Sequence, residues 1–151
     1  MHSEGEKLRK SEAALIRSAR VARLATVSQA GEPHVVPICF AYDGEVFYSA
    51  LDAKPKRVPL EQLARVRHIR ANPRVCLLID EYDEDWSKLR YIIVHGEAEV
   101  LADGDEHARA VRLLREKYKQ YQAMAIDENP VIKIKPMRFV VWRMTPEERA
   151  Q

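Results

Sequence analysis

Residues 20–57 read RVARLATVSQAGEPHVVPICFAYDGEVFYSALDAKPKR, and the fold turns on how this run is divided. Val21, Leu24, Ala25 and Val27 lie in a β-favouring stretch that stops at SQAGEP, a cluster of turn residues, so one hairpin is predicted there. HVVPICFAY and EVFYSAL then flank Asp43-Gly44, a strong hairpin signal because Asp-Gly tolerates positive φ at both central turn positions. The second and third strands are therefore expected to be neighbours. Pro37 falls inside the second strand, where it donates no ladder hydrogen bond. Its place should be an edge, a bulge, or a site where something other than a strand approaches.

Working outward, Glu6 to Ala19 alternates polar and apolar residues at helical spacing, which predicts an amphipathic leading helix. Downstream, LEQLARVRHIRA (60–71) predicts a helix that stops before Asn72-Pro73. RVCLLIDEYD reads as a buried strand, and YIIVHGEAEVL as a long strand in which Gly96 marks a bulge or bend. A helix is expected over Glu106 to Tyr118, and two closing β segments, PVIKIKP and RFVVWRM, are expected to be separated by Pro136. Six or seven strands in hairpin order, with helices interspersed but no regular βαβ alternation, predict an α+β fold: one domain spanning residues 1–151, whose antiparallel sheet curls into a small barrel.

The totals restrict function. The 151 residues suit one domain, and no apolar run approaches the roughly 20 residues that span a bilayer. MHSEGEKLRKSEAAL has no apolar core of the signal-peptide kind, so a cytoplasmic location is expected. With 25 basic and 23 acidic residues the net charge is only +2, too small for a global nucleic-acid or membrane binder, so any basic site must be local. Cys39 and Cys76 sit in separate apolar stretches without CxxC spacing and read as buried free thiols. None of the five histidines pairs at metal-ligand spacing along the chain, so no metal is expected and no general base is assigned; His34 adjoins the second strand and could touch a substrate. Neither GxGxxG nor GxxxxGK[ST] occurs, so any phosphate must be held by side chains.

That requirement draws attention to the turn after VFYSAL. Lys54, Lys56 and Arg57 concentrate point charges and a planar fork there, and Ser49 offers a hydroxyl donor; a phosphate suits such a turn, and a solvated charged loop is the alternative. A basic track through Arg65, Arg67 and Arg70 would suit nucleic acid, but it lacks interleaved aromatics.

The succession of an ATVS strand, a G-x-P-H-V-V-P strand, the K-P-K-R turn, a helix ending in NP and a strand before an EDW loop resembles the flavin-binding split barrels of the pyridoxamine 5'-phosphate oxidase-like superfamily, most closely its small F420-dependent branch. The resemblance covers nearly the whole chain. It implies a split β-barrel of the FMN-binding type and an oxidoreductase that transfers hydride between bound F420 or FMN and a small organic substrate. A non-catalytic carrier or sensor with the same site is the other reading. By the same resemblance Lys54, Lys56 and Arg57, helped by Ser49, hold the cofactor phosphate, while Val36, Pro37 and Ile38 line the ring. A homodimer is implied, with the cofactor in the cleft between subunits. Trp86, in an acidic loop, and Trp142 are then candidates to complete the partner's cofactor site; for Trp86 loop anchoring is the alternative to a cofactor contact, and Trp142 is expected in the core. Because the chain stops at TPEERAQ, without the longer arginine-bearing tail of true pyridoxamine 5'-phosphate oxidases, vitamin B6 oxidation is not the expected reaction.

Overall fold

The decisive stretch folds as two hairpins placed on opposite edges of one sheet. A computed structural model describes residues 2–4, 8–52 and 59–144 of the chain. In it β2 (Ala22–Val27) pairs antiparallel with β3 (Pro33–Ile38), with Ala22 opposite Ile38 and Thr26 opposite His34. The turn between them closes through Ser28, whose N–H donates to Glu32 O, and through Gly31 at φ 85°, a conformation that favours glycine.

The second hairpin joins β4 (Ala41–Tyr42) to β5 (Phe47–Ala50) around Asp43-Gly44. Its turn differs from the two-residue form expected. Gly44 alone takes positive φ, and the Asp43 carboxylate accepts from the N–H groups of Glu45 and Val46, both at 2.8 Å. An aspartate side chain that mimics a backbone turn removes the need for φ > 0 at its own position.

The larger correction concerns HVVPICFAY. This run is two strands that break at Cys39-Phe40, and β3 does not pair with β5. The strand order is β3-β2-β6-β7-β8-β5-β4, where β6 is Arg74–Glu81, β7 Arg90–Leu101 and β8 Val131–Arg143; β1 (His2–Glu4) pairs with β8 outside this path. Two residues of chain thus connect one end of a seven-strand path to the other, which requires the sheet to curl until its ends meet. The result is the antiparallel split barrel, and β3 is an edge strand, where a proline such as Pro37 is tolerated.

The predicted break at Pro136 is absent: β8 runs continuously, and Pro136 stands opposite Gly96, where the β7–β8 register shifts. The missing proline donor falls at an irregularity of the ladder: one step on β7, from His95 to Gly96, spans two on β8, from Arg138 to Pro136, so the extra residue is Met137 on β8, opposite the position marked by Gly96.

Among the described residues three α-helices cover the sheet. The leading helix is shorter than its periodicity suggests, with α1 spanning Lys10–Ser18 and turning Leu15 and Ile16 inward. The 60–71 helix divides into a 3-10 turn over Leu60–Gln62 and α2 (Ala64–Ala71), because Leu63 is extended and interrupts the helical path. α3 (Asp105–Lys117) buries Ala110, Val111 and Leu114. The main core, inside the curl, includes Leu24, Phe40, Phe47, Leu77 and Ile132; a second one lies beneath α3 around Tyr48, Tyr118 and Ile126. Full burial of one such side chain contributes about 1.5–3 kcal/mol, whereas a surface pair such as Arg23–Asp80 at 3.1 Å adds at most about 1 kcal/mol. Packing therefore holds the barrel. Trp142, expected in the core, is half-buried and stacks on Tyr91 with centroids 5.6 Å apart. Among the described residues no helix is long and apolar enough to cross a membrane.

Candidate functional site

The seam where the two sheet ends meet leaves a cavity of about 250 Å3. Pro37, Ile38 and Cys39 form one wall as the chain leaves β3, and Ser49, Ala50 and Asp52 form the opposite wall at the end of β5. Arg65, in the first turn of α2, and Tyr121, in the 3-10 turn over Lys119–Ala123, close the space, with Val21 beside them.

The electrostatics of this cavity centre on Arg65. Its Nε is buried and meets no hydrogen-bond acceptor among the described residues. Burial pulls the guanidinium below its ordinary range, opposed by the nearby charge of Asp52. An unpaired donor on a buried cation costs free energy unless something accepts from it. Across the cavity the Tyr121 hydroxyl donates to Asp52 Oδ2 at 3.4 Å, and burial pushes the phenol well above its usual range, so it holds its proton at neutral pH. The site thus offers an anion acceptor position beside a guanidinium, a small hydroxyl at Ser49 and an apolar wall at Pro37-Ile38. That donor set suits a molecule with an anionic group at one end and a flat apolar body at the other.

Of the residues singled out from sequence, the fold brings Pro37, Ile38 and Ser49 to this one cavity, and Ser49 is only 2% exposed. Val36 is not in the lining; strand alternation turns it toward the main core, where it packs. Trp86 is not in the lining either, and at 61% exposure it stands on the surface loop between β6 and β7. That loop is braced by its own acids, with Asp85 accepting from Ser87 N at 3.1 Å and Asp83 from Asp85 N at 2.7 Å. Lys54, Lys56 and Arg57 lie outside the described residues. Arg65 was passed over because helical periodicity marks it only as one of several surface cations.

The cavity floor is tied to the rest of the fold by Tyr118. Its hydroxyl accepts from Phe40 N at 3.0 Å and is shared between the carbonyls of Arg20 and Phe40. Lys117 packs next to it, with Nζ 3.9 Å from the Phe40 ring centroid; burial and the neighbouring Arg20 lower its pKa to about 8. Cys39 and Cys76 are both free and half-buried rather than fully enclosed, and burial raises the Cys76 thiol.

Comparison with known proteins agrees with this architecture. The profile of the family described as pyridoxamine 5'-phosphate oxidase matches residues 8–149. A 5a,11a-dehydrotetracycline/5a,11a-dehydrooxytetracycline reductase from Streptomyces rimosus subsp. rimosus is 29% identical over 131 residues, which cover 84% of this chain and 77% of that protein. Among solved structures, the conserved hypothetical protein Rv2991 from Mycobacterium tuberculosis superposes with a TM-score of 0.73 at 21% identity, covering 92% of this chain and 87% of that one. A protein described as F420 reductase superposes with a TM-score of 0.63 at 25% identity, covering 88% and 98%.

Proposed function

Because the chain belongs to the pyridoxamine 5'-phosphate oxidase family, we propose that it is an oxidoreductase that holds a flavin-type cofactor, F420 or FMN, in the cavity at the barrel seam and exchanges hydride with a small organic substrate. The observation that carries this reading is Arg65, which lines the cavity and whose Nε is buried with no acceptor among the described residues. A cofactor phosphate supplies that acceptor. Arg65 then fixes one end of the molecule, Ser49 adds a hydroxyl donor, and Lys54, Lys56 and Arg57, beginning two residues after Asp52, complete the charge around it.

When bound, such a ring gives or accepts a hydride. The protein's own part is positioning and exclusion of water. Pro37 and Ile38 present apolar surface to a flat ring, and Tyr121 keeps a proton on its oxygen beside Asp52. The Streptomyces relative is named for reducing dehydrotetracyclines. An unsaturated carbonyl compound, which takes hydride at an electron-poor carbon, is accordingly the substrate class proposed. The chain is further proposed to act as a homodimer, with the exposed Trp86 and its acidic loop meeting the second subunit near the cleft; Val35 and Met137, 62% and 60% exposed, are further apolar surface for that contact.

Titration of the purified protein with F420 and with FMN, followed by fluorescence, tests the reading. One of the two is expected to bind saturably, and Arg65→Met to weaken it by about 10- to 100-fold, the loss of a charge-assisted hydrogen bond. The circular dichroism of the variant should match that of the parent. Binding of neither cofactor overturns the proposal.

A further inference from the structure

Away from the cavity, the β2–β3 hairpin and α2 bring together two histidines that are far apart in the chain. His34 on β3 and His68 on α2 have ring centroids 5.4 Å apart and planes at 87°. Neither ring lines the cavity. Thr26, paired with His34 in the hairpin and 4% exposed, places its Oγ1 2.9 Å from His68 Nδ1. Both imidazoles are half-buried, so they are reachable from solvent yet held by the fold.

We propose that His34 and His68 form a two-imidazole site for a borderline divalent metal ion of the Zn2+ or Ni2+ kind, with water completing the coordination. The centroid separation is the first argument. A metal about 2.0–2.1 Å from one nitrogen of each ring lies about 3.2 Å from each centroid, and a tetrahedral angle between the ligands then sets the centroids about 5.2 Å apart. The observed 5.4 Å matches this spacing. The Thr26 contact is the second. A hydrogen bond on Nδ1 fixes the orientation of the ring and leaves Nε2 as the ligating atom, the arrangement by which outer partners position a metal-binding histidine.

The local charges also fit. Glu32, in the turn before β3, acts on His68 with a negative charge, and Arg67 is held on its own segment by a bond from Nε to Gln62 O at 3.2 Å. Among the described residues no group of three or more His, Cys, Asp or Glu converges, so the protein supplies two ligands and the remaining positions stay open to exchange. Imidazole pairs select zinc, nickel and copper over calcium or magnesium.

Calorimetric titration with Zn2+, in a His2→Gln background so that the N-terminal histidine contributes nothing, tests the site. One equivalent is expected to bind. His34→Gln and His68→Gln should each weaken binding by at least about tenfold, and the double variant at least as much as the stronger single one, because both imidazoles hold the same ion. Thr26→Val should weaken it by about 10- to 100-fold, as loss of an outer partner does. His95→Gln should leave it unchanged, and Mg2+ should not compete. Affinity for Zn2+ that is unaltered in His34→Gln or in His68→Gln, or no saturable binding at all, overturns the assignment. Affinity for F420 and FMN, measured in parallel, separates this result from the fate of the cavity reading.

Discussion

Replacing Tyr118 with phenylalanine removes one oxygen and, with it, the acceptor of the Phe40 amide. That amide lies where the chain passes between the two ends of the sheet, and a buried N–H left without a partner costs about 1–3 kcal/mol. Tyr118→Phe is expected to lower the urea midpoint accordingly with an unchanged m-value. Its neighbour Lys117 acts in the opposite sense. The folded ammonium has a pKa near 8, below the ordinary 10.5, so between these values the unfolded chain binds more protons and this group's contribution to stability rises with pH. Thermal melts of the parent between pH 7 and 10 should show that rise, and Lys117→Met should reduce it. At this scale the sequence was partly legible. Pro37, Ile38 and Ser49 were singled out on the chain and meet at the cavity, because residues at strand ends are fixed by local pattern. Arg65, Tyr118 and Tyr121 were not, since their roles depend on how α2 and α3 dock, and docking leaves no periodic trace.

The elements were read more reliably than their joints. Most long strands and helices were visible in their periodicity, but HVVPICFAY was read as one strand because nothing in its apolar run marks Cys39-Phe40 as a crossing. Conversely, Pro136 was read as a break, although β7 accommodates it at Gly96. That accommodation is tight: a Cβ on Gly96 would stand 2.7 Å from the backbone oxygen of Lys135. Gly96→Ala is therefore expected to destabilise the fold by about 1–3 kcal/mol, the cost of forcing an overpacked backbone apart, as measured by chemical unfolding. Between α3 and the sheet, Glu106 bonds Lys133 Nζ at 2.8 Å and accepts from the Tyr48 hydroxyl at 2.8 Å. The Lys133 and Tyr48 hydrogen bonds hold its carboxyl below the ordinary 4.5. A depressed acid stabilises the fold above 4.5 and loses that contribution as pH falls through its folded value, so Glu106→Gln should flatten the acid limb of the stability profile.

For the whole molecule, the split barrel was foreseeable from strand order and from family likeness, whereas the meeting of the sheet ends was not, because it joins residues at opposite ends of a seven-strand path. The proposed dimer makes a prediction at this scale. Sedimentation should give twice the mass of one chain, and Trp86→Asp should weaken association by about tenfold or more, as loss of an aromatic anchor does. Its 61% exposure means that the folded subunit should be unaffected.

The sheet order has a consequence for synthesis on the ribosome. β5 is attached to the rest of the sheet by β8, the last strand among the described residues, so a nascent chain that ends before Val131 has both early hairpins but no ladder that joins the second to the rest of the sheet. The walls of the cavity come from residues made early, yet the β5 wall is fixed in the sheet only once β8 has been made. The proposed ligand capture is then expected to follow the synthesis of β8, and a polypeptide truncated before Val131 is expected not to hold the small molecule.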